Sequence, residues 1–225
     1  MRILTPALLL ALPSAALAAT DWTPYLHTLQ HNCDAGALVE VLNHHQDKKR
    51  LPAALQASLQ GVRNSTDNNG FKVQEFRLKN ASAFGLPLNR IVVVRPETEY
   101  ARYDLVFADA RMMTLQPQFR LAGNGRHKSA AGQKQTWVEY HAHGSNGSYR
   151  LIDERRLPYN ADPGEAVLQQ LDRHLAQLGK RHPRETVTYT VYASRPNGWL
   201  IRDDMNDITL HFDRQRHRIT CTWAG

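Results

Sequence analysis

Trp137, Glu139, His141 and His143 hold alternate positions in one short stretch of a chain with eleven histidines. On a strand, residues at i, i+2 and i+4 share a face. An E-x-H-x-H row therefore offers a carboxylate and two imidazoles to one metal ion, with His127 near enough in sequence to be a further ligand. Glu139, His141 and His143 are the candidate metal ligands. A secreted hydrolase or metal-dependent enzyme built on strand 137–143 is one reading of the chain. The intervening Thr136, Val138, Tyr140 and Ala142 are the more apolar set. That favours the competing reading, in which the row is the wet face of a two-stranded ribbon.

The other chemical sets are weaker. His27 and His31 are spaced i,i+4, as metal-binding helix pairs are, but Thr28-Leu29 stand where H-E-x-x-H needs its glutamate. His44-His45 could approach them from the next helix. Asp153-Glu154 would point to opposite faces of a strand, and Asp203-Asp204 fall in a turn, so neither makes an acid/base pair. There is no G-x-S-x-G and no phosphate-cradling glycine loop. No catalytic residue and no cofactor are assigned.

Charge points to binding. Lysine and arginine number 28 against 21 acids, a net charge of +7. Arg195 lies in the turn Arg195-Pro196-Asn197-Gly198, and Arg214, Arg216, His217 and Arg218 lie in and beside the turn of the last hairpin. If the last four strands form a meander, both turns reach the same end of the sheet. Guanidinium groups gathered there suit a carboxylate or phosphate partner. The competing reading is a solvated hairpin tip whose charges block edge pairing.

These residues need a scaffold, and the final stretch supplies its clearest element. From Asp207 to Trp223, Ile208, Leu210 and Phe212 alternate with polar residues, and so do Ile219, Cys221 and Trp223. This is a hairpin with one buried face. The only other cysteine is Cys33, so a Cys33–Cys221 disulfide is expected to tie the two ends of the chain together.

Upstream, Thr23-Pro24 opens a helix carrying Leu26, Leu29 and Cys33 on one face. Asp34 caps a second, and Leu51-Pro52 starts a third, which Gly61 ends. Asn64 to Gly70 reads as loop. Strands are expected at 71–78, 88–94, 102–108 and 115–121, the last an edge strand because Pro117 cannot donate to a ladder. A hairpin is expected over 136–154 and strands at 186–193 and 199–202. One longer helix, about 163–178, starts at Asp162-Pro163-Gly164-Glu165, carries Val167, Leu168, Leu171, Leu175 and Leu178 inward, and stops at Gly179.

The fold class is α+β: N-terminal helices, antiparallel strand meanders and one longer helix. Both halves run helix-then-strands, which suggests lobes 19–121 and 136–225 joined by a mobile basic loop, 122–135, within one mature domain, 19–225. Residues 1–18 read as a signal peptide, with Arg2, an apolar run and the small-x-small site Ala16-Leu17-Ala18. The expected location is periplasmic or secreted, with no transmembrane segment and no nucleic-acid partner. The expected function is that of a non-enzymatic binding protein, of inhibitor or immunity type, whose partner is another envelope protein or an anionic surface ligand.

Overall fold

The structure is a computed structural model that describes residues 19–43, 52–95, 100–122, 128–159 and 164–225. The leader, His44-His45, Leu51, His127 and Asp162-Pro163 lie outside the described residues.

Three short helices open the chain: α1 (Thr23–Leu26), α2 (Gly36–Asn43) and α3 (Ala53–Ser58). Pro24 stands in the first turn of α1, and the backbone tightens to 3-10 geometry over His27–Gln30. Before α2, Asp34 Oδ1 accepts from the Gly36 amide at 2.9 Å. His27 and His31 do not lie one turn apart on an α-helix. His31 is already extended and bridges to Arg120, while the His27 ring sits 2.7 Å from the Pro24 carbonyl.

The strands are β1 (Thr20–Asp21), β2 (Leu59–Thr66), β3 (Lys72–Leu78), β4 (Ala81–Ala83), β5 (Leu86–Arg95), β6 (Tyr100–Phe107), β7 (Arg120–Ala122), β8 (Lys128–Ala130), β9 (Gln135–Gly144), β10 (Tyr149–Leu157), β11 (Glu185–Arg195), β12 (Gly198–Arg202), β13 (Asp207–Asp213) and β14 (Arg218–Ala224). The long helix, α4, spans Glu165–Arg181, passing through Gly179 rather than stopping there. Twelve of these strands make one sheet. Its main path runs β3-β5-β6-β14-β13-β12-β11-β9-β10, with β2 outside β3 and the short β4 and β1 beyond the start of β5. The last four strands form the expected meander, and β14 joins it to β6 in the first half of the chain.

Two elements differ from the sequence reading. The third helix ends at Ser58 and the chain turns directly into β2, so Asn64, Ser65 and Thr66 are strand; the turn is closed by Asp67, which accepts from the amides of Asn69 and Phe71. The strand expected over 115–121 is mostly a 3-10 segment, Ala110–Gln118, followed by β7. Met112 and Leu115, three apart, are its buried residues, as a three-residue turn requires, and Asp109 caps its start. Within the expected linker, Lys128–Ala130 pair with β7, and Ser129, Ala130 and Ala131 are buried.

Helices cover the two faces of the sheet at different places. Trp22, Leu26, Leu38, Leu55 and Met112 pack on the face formed by Phe76, Ile91, Leu105, Leu210 and Ile219. The disulfide Cys33–Cys221, with Cα atoms 5.5 Å apart, fastens this layer to β14. On the opposite face, Leu171 and Leu178 of α4 pack on Val138, Tyr140 and Val191. The molecule is α+β, with a large, mostly antiparallel sheet.

Candidate functional site

Register places three transverse rows of side chains on the face that carries α4, at the end of the sheet away from that helix. Residues directly opposite each other on paired strands point the same way. The first row runs Arg77, Arg90, Val106, Arg218, Asp213 across β3, β5, β6, β14 and β13. The second runs Arg63, Glu75, Val92, Asp104, Thr220, His211. The third includes Val94, Arg102, Thr222 and Thr209.

Five arginines and three carboxylates interlock on this face. Arg77 Nε donates to Glu75 Oε1 at 2.7 Å and Arg90 Nη1 to Glu75 Oε2 at 3.3 Å. Asp104 Oδ2 lies 3.4 Å from Arg218 Nη1 and 3.5 Å from Arg102 Nε, while Thr220 Oγ1 donates to Asp104 Oδ1 at 2.8 Å. Asp213 Oδ2 lies 3.6 Å from Arg218 Nη2 and 3.7 Å from Arg216 Nε. Each acid is thus shared by two guanidinium groups.

The acids lie low and the cations high. The Glu75, Asp104 and Asp213 side chains are 19, 3 and 19% exposed, against 54, 47 and 72% for Arg77, Arg90 and Arg216. The hydrogen bond from Arg77, helped by the charges of Arg90, Arg77 and Arg63, lowers the Glu75 pKa despite burial. The Arg216 amide, with the Arg218 and Arg216 charges, does the same for Asp213. Ionised acids beneath the arginines fix the guanidinium positions and leave a surplus of two positive charges facing solvent.

The sequence-predicted basic residues meet this face unequally. Asp213 Oδ1 accepts from the Gln215 and Arg216 amides and shapes the last turn, at whose tip Arg214 is exposed. His217, with φ 49°, lines a cleft beside Arg216, and its carbonyl accepts from the Phe107 amide. Arg218 is half-buried between Asp104 and Asp213. Arg195 stands in the adjoining turn, where Phe212 donates to the Asn197 carbonyl and Gly132 to that of Arg195; its side chain is half-buried. Arg77, Arg90 and Arg102 escape a reading based on turns. Alternation puts Glu75 and Arg77 on one face, but only the pairing of β3 with β5 brings Arg90 to them.

Glu139 and His141 lie in a different place. They share a face with Trp137 and His143, as alternation requires, yet both are 0% exposed, so β9 is buried on both faces and this row is not a wet one. His141 Nε2 is 3.5 Å from Glu139 Oε2, and its ring stacks on Tyr149 at 4.6 Å between centroids. Burial, and then the neighbouring His143, lowers the His141 pKa below its ordinary value. His143 Nε2 contacts the Thr188 hydroxyl at 2.8 Å. Burial and the Glu139 charge push the Tyr192 phenol up. Among the described residues no three His, Cys, Asp or Glu side chains form a metal-holding group.

Comparison with protein-family models, with curated proteins and with solved structures gives no match.

Proposed function

We propose that this chain is a secreted, non-enzymatic binding protein, of inhibitor or immunity type, that holds an acidic envelope protein against its arginine face. The observation that carries the reading is the sharing of three sunken carboxylates among five arginines. Such a face is preorganised, since the guanidinium groups already sit in fixed positions before a partner arrives. Its surplus charge would speed encounter with an acidic surface, and its forked donors would select carboxylates. The disulfide suits an oxidising compartment, and no described helix is long and apolar enough to cross a membrane.

The test is affinity capture from a periplasmic extract, followed by titration of the recovered partner at low and moderate salt. Wild type should form a stoichiometric complex that weakens as salt screens the face, over a length of about 8 Å at physiological ionic strength. Arg102→Gln combined with Arg214→Glu should weaken it at least tenfold while keeping the thermal melt close to wild type, because Arg218 and Thr220 still hold Asp104. An equally tight, equally salt-dependent complex in that variant would overturn the reading.

A further inference from the structure

At one margin of the arginine face, between β3, β5 and the turn before β14, lies an open cleft of about 520 Å³. Its lining includes Arg77, Arg90, Arg216 and His217, the Glu75 carboxylate held between Arg77 and Arg90, and Val106. We propose that this cleft is a binding site for a phosphate monoester. The inference goes beyond the partner reading, because it concerns a small anionic group held by three of the five arginines, Arg77, Arg90 and Arg216.

Charge balance comes first. Arg77 and Arg90 face each other across β3 and β5, and Glu75 neutralises only one of them. Arg216 and Arg218 share Asp213 in the same way, while Asp104 lies between Arg218 and Arg102. The Asp109 beside His217 is already matched by Arg111, at 2.9 Å. The five-arginine, three-acid set therefore lacks two negative charges. A phosphate monoester carries about −1.5 to −2 at neutral pH and three acceptor oxygens, whereas a single carboxylate supplies one charge and a phosphodiester one.

Geometry points the same way. The three rim arginines come from two strands and a turn, so their forks approach a common volume from different directions. A tetrahedral monoester offers three acceptor oxygens to the three forks, one more than a carboxylate has. The exposed Asn89 amide adds a neutral donor at the rim. Val106, directly opposite Arg90 and Arg218, puts an apolar side chain among the guanidinium groups. A volume of this size falls within the range of small-ligand sites, about 300–1,000 Å³.

A phosphate monoester could be free in solution or displayed as a lipid headgroup, and titration calorimetry of the intact protein separates the two. The probes are glycerol 3-phosphate, with acetate as the carboxylate control, and phosphatidylcholine vesicles containing phosphatidic acid, with phosphatidylglycerol as the diester control. Saturable 1:1 binding of glycerol 3-phosphate supports the site with a free ligand. Binding of phosphatidic acid vesicles alone supports it with a headgroup. In either arm Arg77→Ala with Arg90→Ala should weaken affinity by about tenfold or more, the loss expected for charge-assisted hydrogen bonds, and Arg173→Ala on exposed α4 should not. If the double variant does not fold, Arg216→Ala at the exposed tip must show the loss. Failure of both monoester probes, equal binding of acetate or phosphatidylglycerol, or unchanged affinity in the cleft variants would overturn the proposal. Since partner capture is read with Arg102→Gln and Arg214→Glu, failure of one reading leaves the other standing.

Discussion

Arg77 and Arg90 stand directly opposite each other on neighbouring strands, and the two ends of one carboxylate, Glu75, hold them. Like charges in that position destabilise a sheet. The pair is therefore tolerable only while Glu75 is ionised.

Glu75 thus gives a pH prediction. Its pKa is lowered from the ordinary 4.5, first by the Arg77 hydrogen bond and then by Arg90. A depressed folded pKa contributes stability that is complete above the unfolded value and is lost as pH falls through the folded one. Wild type should hold its urea midpoint from neutral pH down to about pH 5 and lose stability below it. Glu75→Gln should lower the neutral-pH stability by about 0.5–1 kcal/mol, in the range for partly exposed pairs, and flatten the acid limb. Parallel acid limbs in the two proteins would show that Glu75 does not hold the arginines.

The disulfide gives a second. Cys33 and Cys221 are 188 positions apart, so the bridge closes nearly the whole described chain. In the chain-entropy model a loop of that length stabilises by about 5 kcal/mol, a large share of a typical total of about 5–15 kcal/mol. Cys33→Ser with Cys221→Ser should lower the urea midpoint accordingly and loosen the N-terminal helices first, because the bridge is their covalent tie to β14. Hydrogen exchange should show protection lost in α2 before the β11–β12 core. Uniform loss across the sheet would mean that the helices and sheet unfold as one unit regardless of the bridge.

A third concerns the other helical layer. Leu171 and Leu178 are buried against Val138, Tyr140 and Val191, and His174 Nε2 lies 2.6 Å from Asp153 Oδ2. Leu171→Ala should cost about 2–4 kcal/mol through lost burial and the cavity left behind. Burial would raise the Asp153 pKa, but the hydrogen bond from His174 and that from the Glu154 amide bring it below its ordinary value. Asp153→Asn should therefore weaken α4 docking at neutral pH and make little difference in acid, where the aspartate is protonated anyway. Circular dichroism of the two variants across pH reads both effects.

Much of this architecture was legible in local pattern. Alternation located the last hairpin, the meander and β9, and the leucine stripe located α4. What failed was local signal overridden by context. Asn64-Ser65-Thr66 look like loop, yet they extend β2 because Phe76 and Val62 fix the pairing across the β2–β3 hairpin. Leu115 to Leu121 looked like an alternating strand, but Met112 and Leu115 already obeyed a three-residue period. Glu139 and His141 alternated with apolar residues as wet-face residues do, and burial of both faces of β9 is a tertiary fact no period reveals. The arginine face was half visible. Its turns could be placed from the meander, but Arg77, Arg90 and Arg102 join only through the pairing of β3, β5 and β6 with β14.

The join between those turns rests on Gly198. It begins β12, opposite Arg195 on one side and His211 on the other, with φ 151°. A Cβ there would run into the Leu210 carbonyl, which is backbone of β13 and cannot swing aside as a side-chain tip could. The neighbouring strand must then move, or the Phe212-to-Asn197 hydrogen bond at 2.7 Å must break. Gly198→Ala should therefore cost about 2–4 kcal/mol, as strain and overpacking at a fixed position do, although it adds only a methyl group. Its effect should reach the basic end, since splaying β12 from β13 parts the turn that bears Arg195 from the one that bears Arg214 and Arg216. Urea denaturation measures the first effect, and amide exchange at Phe212 against Leu105 in β6 the second, with faster exchange expected only at Phe212. An unchanged midpoint would show that the sheet absorbs the methyl group, and that the contact between the two turns does not depend on this glycine.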